Sequence, residues 1–266
     1  MLLPMAEPTI FSVDGEILEP GQAFLPLPDD GLLRGDGVFE VLRLYDGRPF
    51  ALDLHLDRMG RSADAIQLPL QRAEFIEELN GLLATLDQRD CLLRLVQTRA
   101  GRRIITAEPL PVHPPAIALA TVTYSPTVVL NGVKSLSYAA NMQVTRMAKA
   151  AGAEEALFVR PDGVVLEAPT SSIFWATSEG TLRTPALEAG ALDSITRRKI
   201  VERVEVEEGE FGIDDLLAAP EAFLASTTRE VQPVSSVDRT NLPSVAGQLT
   251  VMAQMAFETA LTDDLG

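Results

Sequence analysis

The sequence predicts a two-part α+β protein. Three observations lead there. Short runs of alternating apolar and polar residues are broken by Asp-Gly turns. Amphipathic stretches at helical spacing interleave with them. An uncharged, proline-rich break falls near the middle of the 266 residues. That length suits one large domain or two smaller ones, and 46% hydrophobic residues are enough to bury a sizeable core.

Taken in order, residues 9–19 alternate around Asp14-Gly15 and read as a strand hairpin. A second hairpin joins 38–44 through Tyr45-Asp46-Gly47 to 49–52. Leu56, Met59, Ala63 and Ile66 recur at helical spacing, so a helix starts near Asp53; 72–86 gives another through Phe75, Ile76, Leu79, Leu82 and Leu83. Residues 91–98 and 117–124 read as strands. The stiff run 109–115 and the break at Ser125-Pro126 place a linker between about 113 and 128, separating domains 1–120 and 121–266. Beyond it, 141–151 is helical, and strands 156–159 and 164–166 flank the turn Arg160-Pro161-Asp162-Gly163. Strands 172–176 and 181–184 pair around Glu179-Gly180. Asp193 or Ser194 caps a helix running from Ile195 to about Arg203. A helical turn at 214–218, a strand at 222–226 and an amphipathic helix at 246–261 complete the chain.

Composition narrows the function. With 22 basic against 38 acidic residues the net charge is −16, which repels nucleic acid and anionic membrane surfaces. One cysteine, Cys91, precludes an intrachain disulfide, and His55 and His113 are too few for a histidine-rich metal centre, so no metal is expected. Residues 1–7 show no targeting signal. The longest uncharged stretch, 109–133, is broken by Pro109, Pro111, Pro114, Pro115 and Pro126 and does not form a membrane helix. The expected location is the cytoplasm.

The chain has three lysines, Lys134, Lys149 and Lys199, against 19 arginines. Arginine does not readily form an imine, whereas a desolvated lysine does. If 131–138 is a strand, Lys134 shares a face with Leu136 and Tyr138, where lost hydration favours the free amine; the plainer reading is a snorkelling edge lysine. Lys149 and Lys199 read as solvated helix faces. Ser194-Ile195-Thr196 opens a helix whose free N–H groups and dipole either receive an anion or are simply capped. Ser226-Thr227-Thr228, after a strand, supplies further donors or only a turn. Arg58 is either a cation for that anion or a surface arginine paired with Asp57 or Asp53. Glu167, placed at a strand end, either faces a positive heterocycle or is solvated. Gly35-Asp36-Gly37 is a tight turn, not a dinucleotide fingerprint, and no Walker-type Gly-Lys-Ser/Thr is present. An amine, a phosphate cradle and a carboxylate are what pyridoxal phosphate requires.

Six motifs then follow one another: Arg34-Gly35-Asp36-Gly37-Val38-Phe39-Glu40; His55-Leu56-Asp57-Arg58; Lys134-Ser135-Leu136-Ser137-Tyr138; Gly163-Val164-Val165-Leu166-Glu167; Ser194-Ile195-Thr196-Arg197; and Ser226-Thr227-Thr228-Arg229-Glu230-Val231-Gln232-Pro233-Val234. In these the sequence resembles, from about Val13 to about Phe257, the fold-type IV (class IV) pyridoxal-phosphate enzymes. These comprise the branched-chain and D-amino-acid aminotransferases and aminodeoxychorismate lyase. The resemblance implies two α+β domains with pyridoxal 5′-phosphate between them, in a homodimer. It implies that Lys134 is the Schiff-base lysine. Arg58, Ile195, Thr196, Ser226 and Thr227 would hold the phosphate and Glu167 the pyridine nitrogen. Tyr138 would lie near the ring hydroxyl and Leu192 on the ring face. Phe39, Arg94, Arg99 and Thr228 would line the substrate pocket, with Arg94 or Arg99 holding a carboxylate. The sequence departs from the family at Ser137, Ala168 and Ser172, and several residues are missing after Arg203.

The segment from Thr227 to Val234 resembles the transaminases. The implied activity moves an amino group between an amino acid, of the branched-chain type first, and a 2-keto acid. The alternatives are 4-amino-4-deoxychorismate lyase with the same lysine and, more distantly, a non-catalytic binding protein on the same fold.

Overall fold

The computed structural model describes residues 9–87 and 89–266; residues 1–7, read above for a targeting signal, lie outside them. The chain forms two compact units. The first takes the chain up to Pro111 together with Val133–Tyr138 and Leu265, and the second comprises Val112–Gly132, Ala139–Asp264 and Gly266. The first unit runs to Pro111, and a later hexapeptide returns to it.

In the first unit the elements run β1 (Ile10–Val13), β2 (Glu16–Leu18), α1 (Asp30–Arg34), β3 (Gly37–Tyr45), β4 (Arg48–Pro49), α2 (Leu52–Ala65), α3 (Arg72–Thr85), β5 (Leu92–Thr98) and β6 (Arg103–Glu108). Among the described residues they build an antiparallel six-stranded sheet in the order β2-β1-β6-β5-β3-β4. Both predicted hairpins form on two-residue Asp-Gly loops. Asp14 and Gly15 have φ of 51° and 89°, Asp46 and Gly47 φ of 48° and 78°, the double left-handed geometry whose twist matches the strands. One face of the sheet, through Val38, Leu42, Leu44, Leu93, Leu95, Ile105 and Ala107, packs on Leu56, Met59 and Ala63 of α2 and Phe75, Leu79 and Leu82 of α3. Glu40 occupies the same inward register as Val38 and Leu42 and is buried.

In the second unit the elements are β7 (Ile117–Thr123), α4 (Ala139–Ala150), β8 (Glu155–Val159), β9 (Ser172–Ala176), β10 (Leu182–Pro185), α5 (Ile195–Val201), β11 (Val206–Gly209), α6 (Ile213–Leu217), β12 (Ala222–Ser226), β13 (Glu230–Val237), β14 (Thr240–Asn241) and α7 (Gln248–Leu265). The sheet is mixed, ordered β11-β10-β9-β12-β13-β7-β8 with β14 on β13. Trp175, Ile173, Leu224, Leu157 and Val234 form its core with Leu216 of α6. Among the described residues no helix is long and apolar enough to cross a membrane.

One expected strand is corrected, and the conditional one around Lys134 does not form. Residues 164–166 make only single bridges, Val165 to Val159 and Val164 to Gly212, because their neighbours lie on different segments. Around Lys134 there is one bridge, Ser135 to Val38; the Tyr138 N–H then donates to Leu136 O at 2.7 Å, which bends the chain out of extension just before α4.

Candidate active site

Lys134 is placed by the open edge of β3. Phe39 N–H donates to Lys134 O at 3.1 Å and Leu136 N–H to Gly37 O at 2.9 Å. Lys134 N–H donates to Ser62 Oγ at 3.1 Å and Ser137 Oγ to Gly35 O at 3.1 Å. The side chain then crosses the outer face of the sheet, with Nζ 4.4 Å from the Phe39 ring centroid. Tyr138 meets the same ring edge-on, centroids 5.3 Å apart. Three residues singled out by the sequence thus share one contact. Strand register sets Val96 and Ile104 directly across from Phe39, with Val41 two residues along, on the same strand face as the ring.

Arg58 is not a surface arginine. It is buried on α2, with Nε donating to Glu40 Oε1 and Nη2 to Glu40 Oε2, both at 2.7 Å. Asp53 and Asp57, its expected surface partners, pair with Arg72 instead. His55 Nδ1 lies 2.9 Å from Glu40 Oε2. Burial by itself would raise the Glu40 carboxyl, but the charge of Arg58 and the hydrogen bonds from Arg58 and His55 outweigh it and hold the group at about 2. Burial lowers the His55 pKa, against the opposing pull of Glu40. Glu40 and His55 were not assigned roles from the sequence. The signal was present, since a carboxylate in a core register needs a buried counter-charge, and His55 and Arg58 stand one helical turn apart.

Arg94 and Arg99 are both engaged by carboxylates of the chain. Arg94 donates to Glu108 through Nε (2.7 Å) and Nη2 (3.0 Å), with Thr106 Oγ1 also on Glu108, and its Cζ lies 5.8 Å from the Phe39 centroid. Arg99 grips Asp36 through Nε (3.0 Å) and Nη2 (2.9 Å) and donates further to the carbonyls of Gln67 and Ile66.

In the second unit, Glu167 is half-buried, and its Oε2 accepts the Leu192 N–H at 3.2 Å, which joins two further predicted residues. Ser194 N-caps α5 with its side chain, as expected. Ile195 and Thr196, its first two helical residues, have N–H groups with no intrahelical acceptor, and both side chains are buried. Ser226 ends β12, and Thr227 and Thr228 form the loop before β13, with Ser226 Oγ accepting the Arg229 N–H at 3.3 Å. Lys149 is exposed. Lys199 does not lie on a solvated face: its side chain is 16% exposed, with Nζ 4.0 Å from Glu202.

Residues 37–237 match the family described as amino-transferase class IV, and the chain belongs to that pyridoxal-phosphate-dependent family. It is 34% identical to a putative branched-chain-amino-acid aminotransferase of Methanocaldococcus jannaschii, covering 85% of this chain and 87% of that one. It is 32% identical to a D-alanine aminotransferase of Bacillus licheniformis, over 94% and 96% of the two chains. It is 29% identical to an aminodeoxychorismate lyase of Bacillus subtilis, over 92% of each. The PLP-bound form of a hypothetical aminotransferase from Mycobacterium tuberculosis superposes with a TM-score of 0.86 at 25% identity, covering 96% and 99% of the chains.

Proposed function

We propose that the protein transfers an amino group between an amino acid, of the branched-chain type first, and a 2-keto acid. The observation that carries this reading is the setting of Lys134: its amine rests on Phe39, on a strand face that also holds Val41, Val96 and Ile104, and the Arg94 over the same ring is paired with Glu108. An apolar side chain suits such a wall.

The donor set fits the family's cofactor: an amine on an apolar face, an arginine held rigidly by Glu40, a carboxylate oriented by a backbone N–H, and two free helical N–H groups. Pyridoxal phosphate, when bound, supplies an electrophilic carbon and a ring that accepts the electrons released at Cα. Lys134 Nζ would take the proton from the donor's Cα and pass it to the cofactor, and in the reverse half would carry a proton from the cofactor to the Cα of the incoming keto acid. Glu167 keeps a proton on the pyridine nitrogen by opposite charge. For the phosphate, this reading assigns Arg58 in the first unit and Ile195, Thr196, Ser226 and Thr227 in the second. Tyr138 serves the ring hydroxyl, Leu192 the ring face, and Phe39, Arg94, Arg99 and Thr228 the substrate.

The protein works in this reading as a homodimer in the cytoplasm. Phe24, Leu27, Leu32 and Leu33, all exposed in the first unit, supply apolar surface for a second copy. The lyase reading is favoured by the relative from Bacillus subtilis and shares the same lysine. The test follows the visible spectrum of the cofactor-loaded protein as single L- and D-amino acids are added without acceptor. A spectral change with branched-chain donors supports the transaminase. No change with any amino acid, together with pyruvate release from 4-amino-4-deoxychorismate, supports the lyase.

A further inference from the structure

The loop that carries Thr227 and Thr228 is anchored by the residue after them. Arg229 turns inward, its side chain 9% exposed, and Nη2 donates to Glu155 Oε2 at 3.0 Å. Its Nη1 donates to Gln232 Oε1 and lies 3.4 Å from His113 Nδ1. Two of these partners are themselves fixed. Glu155 Oε1 accepts from Thr145 Oγ1 of α4 and from the Ala156 N–H, both at 3.0 Å, and Gln232 Nε2 donates to Pro114 O at 2.6 Å. One guanidinium therefore ties the β12–β13 loop to the start of β8, to α4 and to the segment His113-Pro114. Its backbone N–H also reaches back to Ser226 Oγ, and Glu230 closes the loop at φ 54°, a left-handed conformation uncommon for a residue with a long side chain.

We propose that Arg229 is a positioning residue that presets the Ser226–Thr228 loop for anionic ligands: the phosphate monoester of the cofactor and the carboxylate of the amino donor. The inference rests on the transaminase reading for the identity of those ligands. Arg229 is not their counter-ion, because both ends of its fork are committed within the chain, Nη2 to Glu155 and Nη1 to Gln232. Its effect is to order the loop before a ligand arrives. Without the anchor, ordering three residues has to accompany binding, which weakens it by about ten-fold or more.

Arg229→Ala strands the Glu155 carboxylate, so the test uses Arg229→Met combined with Glu155→Gln, and separately Arg229→Lys, which keeps the charge and loses the fork. Four readings are taken: thermal midpoint, amide hydrogen exchange over 226–230 in cofactor-free protein, Kd for pyridoxal phosphate, and the KM and kcat of the amino donor. The expected result is a folded double variant in which exchange at 227–230 accelerates about ten-fold, and Kd and KM each rise about ten-fold. In the same variant kcat at saturation shifts less than about three-fold, and Arg229→Lys falls between it and the wild type. A folded double variant with unchanged exchange and unchanged Kd overturns the proposal. So does a rise in KM without any change in exchange, which would make Arg229 a direct ligand contact. Should the double variant unfold, Arg229→Lys decides by the same readings. A wild-type protein that binds the cofactor but transfers no amino group would sink the transaminase reading while leaving the exchange and Kd readings to judge Arg229.

Discussion

Glu40 and Arg58 form a two-pronged ion pair inside the first unit, with Nε on Oε1 and Nη2 on Oε2 at 2.7 Å each, and the carboxylate wholly shielded from water. A strand position in the apolar register thus holds a charge that orients an arginine carried by the helix packed against it. His55, one turn earlier on that helix, completes the carboxylate's hydrogen bonding.

Removing Arg58 is expected to do two things. Arg58→Ala leaves the buried Glu40 with His55 alone and no arginine charge beside it, which costs about 3–5 kcal/mol of stability. It also removes a charge-assisted phosphate contact worth about 1.5–3 kcal/mol, roughly ten- to a hundred-fold in cofactor affinity. Glu40→Gln with Arg58→Met should recover much of the stability and none of the affinity. Denaturant unfolding and titration of the cofactor-free chain separate the two effects; full affinity in the double variant would place the phosphate elsewhere.

Acid should destabilise the second unit through His113. Its burial, together with the Arg229 charge beside it, pushes its pKa down to about 4 from an ordinary value near 6.5. The folded state therefore binds fewer protons than the unfolded state between those values. The corresponding stability is present above about 6.5 and is lost as pH falls toward 4. His113→Gln should flatten the decline in thermal midpoint over that window. An unchanged slope would mean that another group sets it.

Lys134→Ala is expected to abolish turnover while the fold survives, since the bonds from Lys134 N–H to Ser62 Oγ, from Phe39 N–H to Lys134 O and from Leu136 N–H to Gly37 O need no lysine side chain. Lys149→Arg, on an exposed helix face, should be close to neutral. Circular dichroism and a steady-state assay check both. Full activity in Lys134→Ala would remove the residue from the chemistry.

Glu167→Gln should retain cofactor binding and slow amino transfer strongly. Glutamine still accepts the Leu192 N–H but carries no charge to hold the pyridinium proton. A loss of about 3 kcal/mol in transition-state stabilisation is a fall on the order of a hundred-fold in rate. Single-turnover mixing with one donor isolates the step; a wild-type rate would reduce Glu167 to a structural residue.

What was legible in the sequence was local. Asp14-Gly15 and Asp46-Gly47 announce their hairpins, and Ser194 its helix, because the governing interactions span a few residues. What was not legible depends on distant partners. Lys134 is held by a bridge and not by a strand, because the Tyr138 N–H bond to Leu136 O turns the segment away from the β3 edge. Arg94 and Arg99 read as free cations until register and loop packing bring Glu108 and Asp36 to them. β6 passed unnoticed because Arg103, Thr106 and Glu108 interrupt its apolar pattern. β13 was hidden by Pro233, which sits next to a register shift between Val234 and Ser236. α1, whose leucines 32 and 33 are exposed, has no buried stripe to reveal it.

Amino transfer itself is tested most directly by stoichiometry. Cofactor-loaded protein is mixed with leucine, isoleucine or valine in the absence of any keto-acid acceptor, and the keto acid formed is counted per subunit. A transaminase must stop after half a cycle, so the account predicts roughly one equivalent of the corresponding 2-keto acid, with turnover resuming only when a second keto acid is supplied. No keto acid from any amino acid of either hand, alongside sustained pyruvate release from 4-amino-4-deoxychorismate, would contradict it.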